Sequence, residues 1–328
     1  MRFFLGLLVL ICAAPHAAGN PPQFADTPPP DTSITTTLPP TEPALNVEEV
    51  TVEAPEPRYV APTRRDRIGR VWAPVMINGK GPFRLVLDTG ANGSAIVKSV
   101  AERLGISTLD GKVVQLHGVT GSAKVPAIDV DRLEVGDLLL EGKQLPVVAD
   151  VFGGAEGVLG TEGLIDKRIH IDFGRDAISI MRSQRQRTLP GFASIPLTLG
   201  RDRLLRMKIM IGRIPVTAIL DTGAQITVGN HALRDLLKRR RAQDVKSQDI
   251  IGVTLDVAKG EVMPVRSLQI GTVQVSNLHL TFGDMFIFEH WKMTREPAML
   301  IGMDIIGSFD VLVIDYRKKE LQIRAKRS

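Results

Sequence analysis

The chain has 328 residues, with 41 Lys and Arg against 36 Asp and Glu, a formal charge of +5, and one cysteine, Cys12. Disulfides and thiol catalysis are thereby excluded downstream of residue 12, and the six histidines show no metal-ligand spacing. Basic groups at Arg64-Arg65, Lys238 to Arg241 and Arg317-Lys318-Lys319 have no interleaved aromatic residues, which argues against nucleic acid as a partner.

Met1-Arg2 is followed by an apolar run from Phe3 to Ala14 and the small residues Ala17-Ala18-Gly19. This pattern reads as a secretory signal peptide over 1–19, since the run is short for a spanning helix. A retained membrane anchor is the alternative. Export without a disulfide pattern suggests a bacterial periplasm, with no integral membrane segment left after cleavage. Residues 20–63 turn to Pro, Thr and acidic side chains, including Pro28-Pro29-Pro30 and Thr35-Thr36-Thr37. Such composition offers too little apolar surface to offset ordering entropy. The segment is expected to be a disordered tether, with an inhibitory propeptide as the alternative.

From there the chain is a succession of short apolar or alternating runs bounded by Gly, Pro and Asp: Val71 to Ile77, Phe83 to Leu87, Val113 to Leu116, Ile128 to Val135, Ile169 to Phe173 and Ile178 to Met181. These are strand signals, and their spacing predicts an all-β architecture with a few short helices. Helices are expected over Val97 to Leu104, closed by Gly105, and from His231 to about Arg239. Weaker helical turns are expected at Leu164-Ile165 and Ile305-Ile306. A polar stretch from Arg182 to Gly191 separates a lobe over 64–190 from a lobe over 191–328.

The two lobes repeat one another. Asp88-Thr89-Gly90-Ala91 and Asp221-Thr222-Gly223-Ala224 each end an apolar run. His117-Gly118-Val119-Thr120, Val158-Leu159-Gly160 and Ile171-Asp172-Phe173 recur in order as Ile251-Gly252-Val253-Thr254, Leu300-Ile301-Gly302 and Ile314-Asp315-Tyr316. The offset grows from 133 at Asp88/Asp221 to 143 at Asp172/Asp315, so the second copy carries short insertions. Two similar lobes about a pseudo-two-fold axis, each giving one Asp-Thr-Gly turn to a shared cleft, would account for the duplication.

A buried aspartate is costly unless a partner or a reaction requires it. Glycine permits a tight turn after a buried strand, and threonine supplies a hydroxyl that can bond across the axis. Asp88 and Asp221 would face each other around a water. Two carboxyls so close cannot both ionise, so one keeps a proton at mildly acid pH. The ionised one acts as base toward water and the protonated one as acid toward a carbonyl oxygen.

These motifs resemble the retropepsin branch of the aspartic proteases, over about residues 68 to 325. The resemblance implies retropepsin- or pepsin-like β lobes, a single-chain tandem form acting as an intrachain pseudo-dimer, and an extended polypeptide as substrate. It makes Asp88 and Asp221 catalytic, with Thr89, Gly90, Ala91, Thr222, Gly223 and Ala224 supporting the turns. Flaps are expected over Leu116 to Val125 and Ile251 to Val262, with bending at Gly118, Gly121, Gly252 and Gly260. Pepsins usually have Ser or Thr where Ala91 and Ala224 stand, and the interface acids of retroviral enzymes are absent after both turns.

Asp172 and Asp315 read better as turn or ion-pair residues, and His117 as a packed or solvated histidine. His290-Trp291, in an insertion of the second copy, is either a substrate-facing loop or an apolar lid. Gly153-Gly154 and Gly157 lack a phosphate-loop context, so no nucleotide, cofactor or metal is expected. The function implied is an exported aspartic endopeptidase. The alternatives are a non-catalytic peptide-binding module and an envelope scaffold that retain the fold.

Overall fold

The computed structural model describes residues 2–4, 59–62, 69–108, 112–136, 138–184, 188–200, 202–238 and 246–326. Ala13–Pro57 separates from the remainder of the chain, Met1–Cys12 with Arg58–Ser328, and lies outside the described residues. The signal segment over 1–19 and the tether over 20–63 therefore fall outside them too, apart from Arg2–Phe4 and Tyr59–Pro62. Arg2–Phe4 runs parallel to Gln115–His117.

The first lobe is built on strands Trp72–Ile77 and Lys80–Leu87, which form an antiparallel hairpin. Alternate residues of Trp72–Ile77 are buried, whereas Leu85-Val86-Leu87 is buried throughout. A strand covered on both faces needs such a continuous apolar run. Lys80–Leu87 also pairs in parallel with Gly157–Leu159. Ser122–Val135 pairs with Trp72–Ile77 and with Leu138–Val148, which curls the sheet on itself. The second lobe repeats the plan: Leu205–Ile211 and Ile214–Leu220 form the hairpin, Ile214–Leu220 pairs in parallel with Ala298–Ile301, and Val257–Ile270 pairs with Val273–Phe282. No helix among the described residues is long and apolar enough to cross a membrane.

A six-stranded sheet joins the lobes. Lys167–Asp172 of the first pairs antiparallel with Phe309–Asp315 of the second, so that Arg168 faces Asp315 and Asp172 faces Val311. This register is its own mirror under the repeat, and His170 and Val313 sit at its centre. The outer strands match as well: Tyr59–Pro62 pairs with Ala177–Ile180, and Ala193–Pro196 with Glu320–Ile323. The repeated unit thus begins upstream of residue 64, because Tyr59–Pro62, at the end of the expected tether, supplies an edge strand.

The helices Lys98–Leu104 and His231–Lys238 form where the sequence places them, and Gly105 closes the first in the left-handed conformation at φ 77°. Met303–Ile306 makes the second lobe's short helix. Its counterpart near Leu164 remains a turn, since Gly163 has φ 82°, outside the helical region. The insertion contributes one further helix, Phe286–His290.

Asp172 and Asp315 take structural roles. Asp172 Oδ1 accepts from Arg175 N at 2.9 Å. The carboxylate of Asp315, fully buried, accepts from Ser183 Oγ at 2.7 Å, Lys318 N at 2.9 Å and Arg168 Nη1 at 3.5 Å. Removing the guanidinium would leave a buried carboxylate without its counter-charge. Arg168→Ala is expected to lower unfolding free energy by about 3 kcal/mol, measured by urea titration.

Candidate active site

Each Asp-Thr-Gly turn grows from the end of a buried strand. Asp88 N donates to Leu159 O at 3.0 Å and Asp221 N to Ile301 O at 2.9 Å, so the parallel neighbour fixes where each turn starts. The turns close with Ala91 N on Asp88 O and Ala224 N on Asp221 O, both 3.3 Å. Gly90 N donates to Asp88 Oδ1 at 2.8 Å, and Gly223 N to Asp221 Oδ1 at 2.9 Å, which orients each carboxyl from below. Glycine is required here by the opposite carboxyl: a Cβ on Gly223 would stand 2.5 Å from Asp88 Oδ2, and one on Gly90 would collide with Asp221 Oδ2.

The turns are locked together by their threonines. Thr89 N donates to Thr222 Oγ1 and Thr222 N to Thr89 Oγ1, each at 3.1 Å. Each hydroxyl donates onward across the axis, Thr89 Oγ1 to Leu220 O at 2.7 Å and Thr222 Oγ1 to Leu87 O at 2.6 Å. All four groups are deeply buried, so this reciprocal set satisfies amides and carbonyls that water cannot reach.

Asp88 and Asp221 are both fully buried and interact through their carboxyls, while Oδ2 of each accepts no hydrogen bond from the other described residues. Burial pushes Asp88 up to about 7. Burial, together with the charge of Asp88, pushes Asp221 well above the usual carboxylate range. The charge of Arg70 opposes the rise at Asp88. This arginine is itself buried, donates to Phe152 O at 2.8 Å and stands where the second lobe has Leu204, two residues before the matched pair Trp72 and Arg206. The lobes therefore differ beside the pair, with an arginine on the Asp88 side where the other lobe has a leucine.

A further set of residues, missed in the sequence analysis, braces the turns from behind. Ser94 N donates to Glu162 Oε1 at 2.7 Å and Gly160 N to Ser94 Oγ at 3.0 Å. In the second lobe Thr227 Oγ1 donates to Asp304 Oδ1 at 2.7 Å and Gly302 N to Thr227 Oγ1 at 3.0 Å. Thr161 N and Met303 N close the same layer on Ala91 O and Ala224 O, both at 2.8 Å. Burial raises the carboxyls of Glu162 and Asp304 above their ordinary values. The sequence did carry the signal: Ser94 and Thr227 share the offset of Asp88 and Asp221, and both acids stand two residues after the supporting glycine.

The expected flaps are two hairpins that meet. Lys112–His117 turns through Gly118–Gly121 into Ser122–Val135, and Lys246–Ile251 turns through Gly252–Asp256 into Val257–Ile270. Gly252 N donates to Thr120 Oγ1 at 3.1 Å across the tips. A Cβ on Gly118 would lie 3.1 Å from Val253 Cγ1, and Gly121 abuts Asp256, so three of the four flap glycines serve close approach of one tip to the other. Gly260 is elsewhere, within the strand opposite Gln248 and against Thr281. His117 stacks on Phe286 at 5.9 Å and lies 4.6 Å from the His290 ring, while Ile287 N donates to Val119 O at 3.1 Å. The insertion of the second lobe is thus a support for the first flap.

A family model described as aspartyl protease matches the chain twice, over residues 73–162 and 207–305, each match holding one Asp-Thr-Gly turn and its supporting glycine. The chain belongs to the aspartyl protease family. No curated protein gives a significant match to it. Family membership agrees with the all-β, two-lobed, tandem architecture, and the aspartates that face each other here are those of the two matched Asp-Thr-Gly segments. Among the described residues, no group of three or more His, Cys, Asp or Glu is placed to hold a metal ion.

Two measurements test this family member's turns. Thr222→Val strands Thr89 N–H and Leu87 C=O, and should cost about 2–4 kcal/mol in urea unfolding, whereas Thr222→Ser should cost about 1 kcal/mol. Asp88 is raised from 3.8 to about 7 on folding. The folded state therefore holds more protons than the unfolded one between those values. Its contribution to stability is complete below about pH 4 and lost as pH rises to about 7. Asp88→Asn should remove its share of that decline, read as urea midpoint against pH.

Proposed function

We propose that this chain is an exported aspartic endopeptidase that hydrolyses peptide bonds of extended polypeptide through the Asp88/Asp221 pair. The observation that carries the reading is the pair itself: two buried carboxyls held face to face by reciprocal turns, each with an oxygen that no other described residue engages. A structural role would have supplied those oxygens with donors, as it does for Asp315.

Asp88, whose ionised form the charge of Arg70 favours, is assigned the base. It takes a proton from a water as the water oxygen attacks the scissile carbonyl carbon, and Asp221 donates its proton to the carbonyl oxygen. Collapse of the tetrahedral diol breaks the C–N bond as the proton gained by Asp88 goes to the leaving amine and one diol hydroxyl returns its proton to Asp221, which restores the pair. The two flaps would lie over a strand-like substrate and offer backbone groups for pairing. Their tips, packed on one another and on Phe286–His290, must part for a chain to enter. Export to the periplasm is supported by the pattern of residues 1–19.

Cleavage of a diverse peptide library by the purified protein is the decisive experiment. Asp88→Asn and Asp221→Asn, each nearly isosteric, should each lower kcat/KM by about 10³-fold or more while leaving unfolding cooperative; unchanged cleavage in either would refute the assignment. Activity needs one proton on the pair. With Asp88 raised to about 7, kcat/KM should climb through about that pH and fall only once Asp221 also ionises, a bell placed near neutrality.

A further inference from the structure

The duplication allows each place in one lobe to be compared with its copy. Trp72 lies opposite Val86, and Arg206 lies opposite Ile219, the residue at the same distance from the second catalytic turn. Arg206 therefore holds the place of Trp72, and by the same register Thr217 holds the place of Arg84. The parallel pairs Leu85 with Gly157 and Ala218 with Met299 match Glu296 to Gly154 and Ala298 to Glu156.

In the first lobe this place is filled. The guanidinium of Arg84 lies 5.3 Å over the Trp72 ring, and the ring reaches to 3.8 Å from a Cβ built on Gly154. Glu156 closes the side by pairing with Arg84 at 3.5 Å and with Arg103. In the second lobe none of these fillers is present. Arg206 is drawn aside to Asp202, Thr217 is short, and Ala298 has no carboxylate. A cavity of about 590 Å³ remains, whose walls combine Arg206, Thr217, Trp291, Met293 and Pro297 with the charged Asp202, Lys292 and Glu296, and neither Asp88 nor Asp221 lines it.

That volume is in the range of ligand pockets and exceeds one indole, so it accommodates an aromatic side chain with adjoining backbone. The walls suit such a group: a guanidinium for a ring face, an aromatic partner in Trp291, a thioether in Met293 and the apolar ring of Pro297. We infer that this cavity is a docking site for an aromatic side chain of the polypeptide substrate, seated in the second lobe as Trp72 is seated in the first. The polypeptide source rests on the endopeptidase reading; the ring preference rests on the comparison of lobes alone. His290 also lines the cavity and contacts His117, so an occupant would press on the support of the first flap.

The chain has two tryptophans, Trp72 and Trp291, so indole-labelled full-length protein gives two N–H resonances, assigned with Trp291→Phe. Titration with N-acetylphenylalaninamide should shift Trp291 saturably and leave Trp72 in place, while N-acetylalaninamide shifts neither. Arg206→Phe, which fills the cavity from within, should weaken this binding about tenfold. Thr217→Phe serves the same purpose without stranding Asp202. No saturable shift at Trp291, an equal shift with the alanine compound, or full binding in both filled variants would overturn the site. For the source, peptide substrates with Phe in a distal flank should show KM about tenfold below their Ala counterparts, with kcat unchanged, and the difference should vanish in Arg206→Phe. Equal KM values would overturn the substrate as occupant. If no peptide is cleaved, the endopeptidase reading fails, and the Trp291 titration still decides the site.

Discussion

The fold is arranged around two carboxyls buried away from bulk solvent. Asp88 and Asp221 are fully buried, and each is held by the amide of its own turn's glycine. Burying an acid in an apolar core raises the cost of its charge, and a like acid beside it raises the cost again. The proton shared by the pair is the answer to that constraint. The threonine lock follows from the same demand: only turns with fixed positions can keep two carboxyls close without letting one swing away to another partner. Strand pairing, threonine exchange and the rear braces of Ser94 with Glu162 and Thr227 with Asp304 are successive shells of that restraint.

Duplication supplies this symmetry, and divergence of the copies then gives it direction. The proposed hydrolysis would need one base and one acid, which a perfectly symmetric pair does not assign. Arg70 stands in the first lobe where the second has Leu204, and its charge opposes the rise at Asp88. The insertion in the second copy breaks symmetry at the other side of the cleft, where Phe286–His290 supports one flap and has no equivalent beneath the other. Where Trp72 closes the flank of the first lobe, Arg206 leaves an opening in the second. Each difference lies outside the turns themselves, where a Cβ on Gly90 or Gly223 would meet the opposite carboxyl.

The strands, the duplicated turns and the two longer helices were legible in the sequence because each rests on local rules. Alternating burial makes Trp72–Ile77 and Leu205–Ile211 strands, a continuous apolar run makes Leu85-Val86-Leu87 a covered one, and Gly105 stops a helix through its own backbone. The edge strand Tyr59–Pro62 was not legible, since its pairing with Ala177–Ile180 is made by backbone groups that leave no side-chain pattern. Gly260 resembles a hinge in sequence, yet its lack of a side chain serves packing against Thr281.

By itself, then, the sequence determined that two copies of one β unit each carry an Asp-Thr-Gly turn, because repetition and buried-strand patterning are written along the chain. Tertiary structure alone decided which residues meet across it. The exchange of hydrogen bonds between Thr89 and Thr222, the closure of Thr120 on Gly252, the stacking of His117 on Phe286 and the reach of Arg70 to Asp88 all join segments that are distant in sequence. Such contacts are set by how the two lobes pack about their axis, and side-chain packing of that kind has no period that a linear reading can detect.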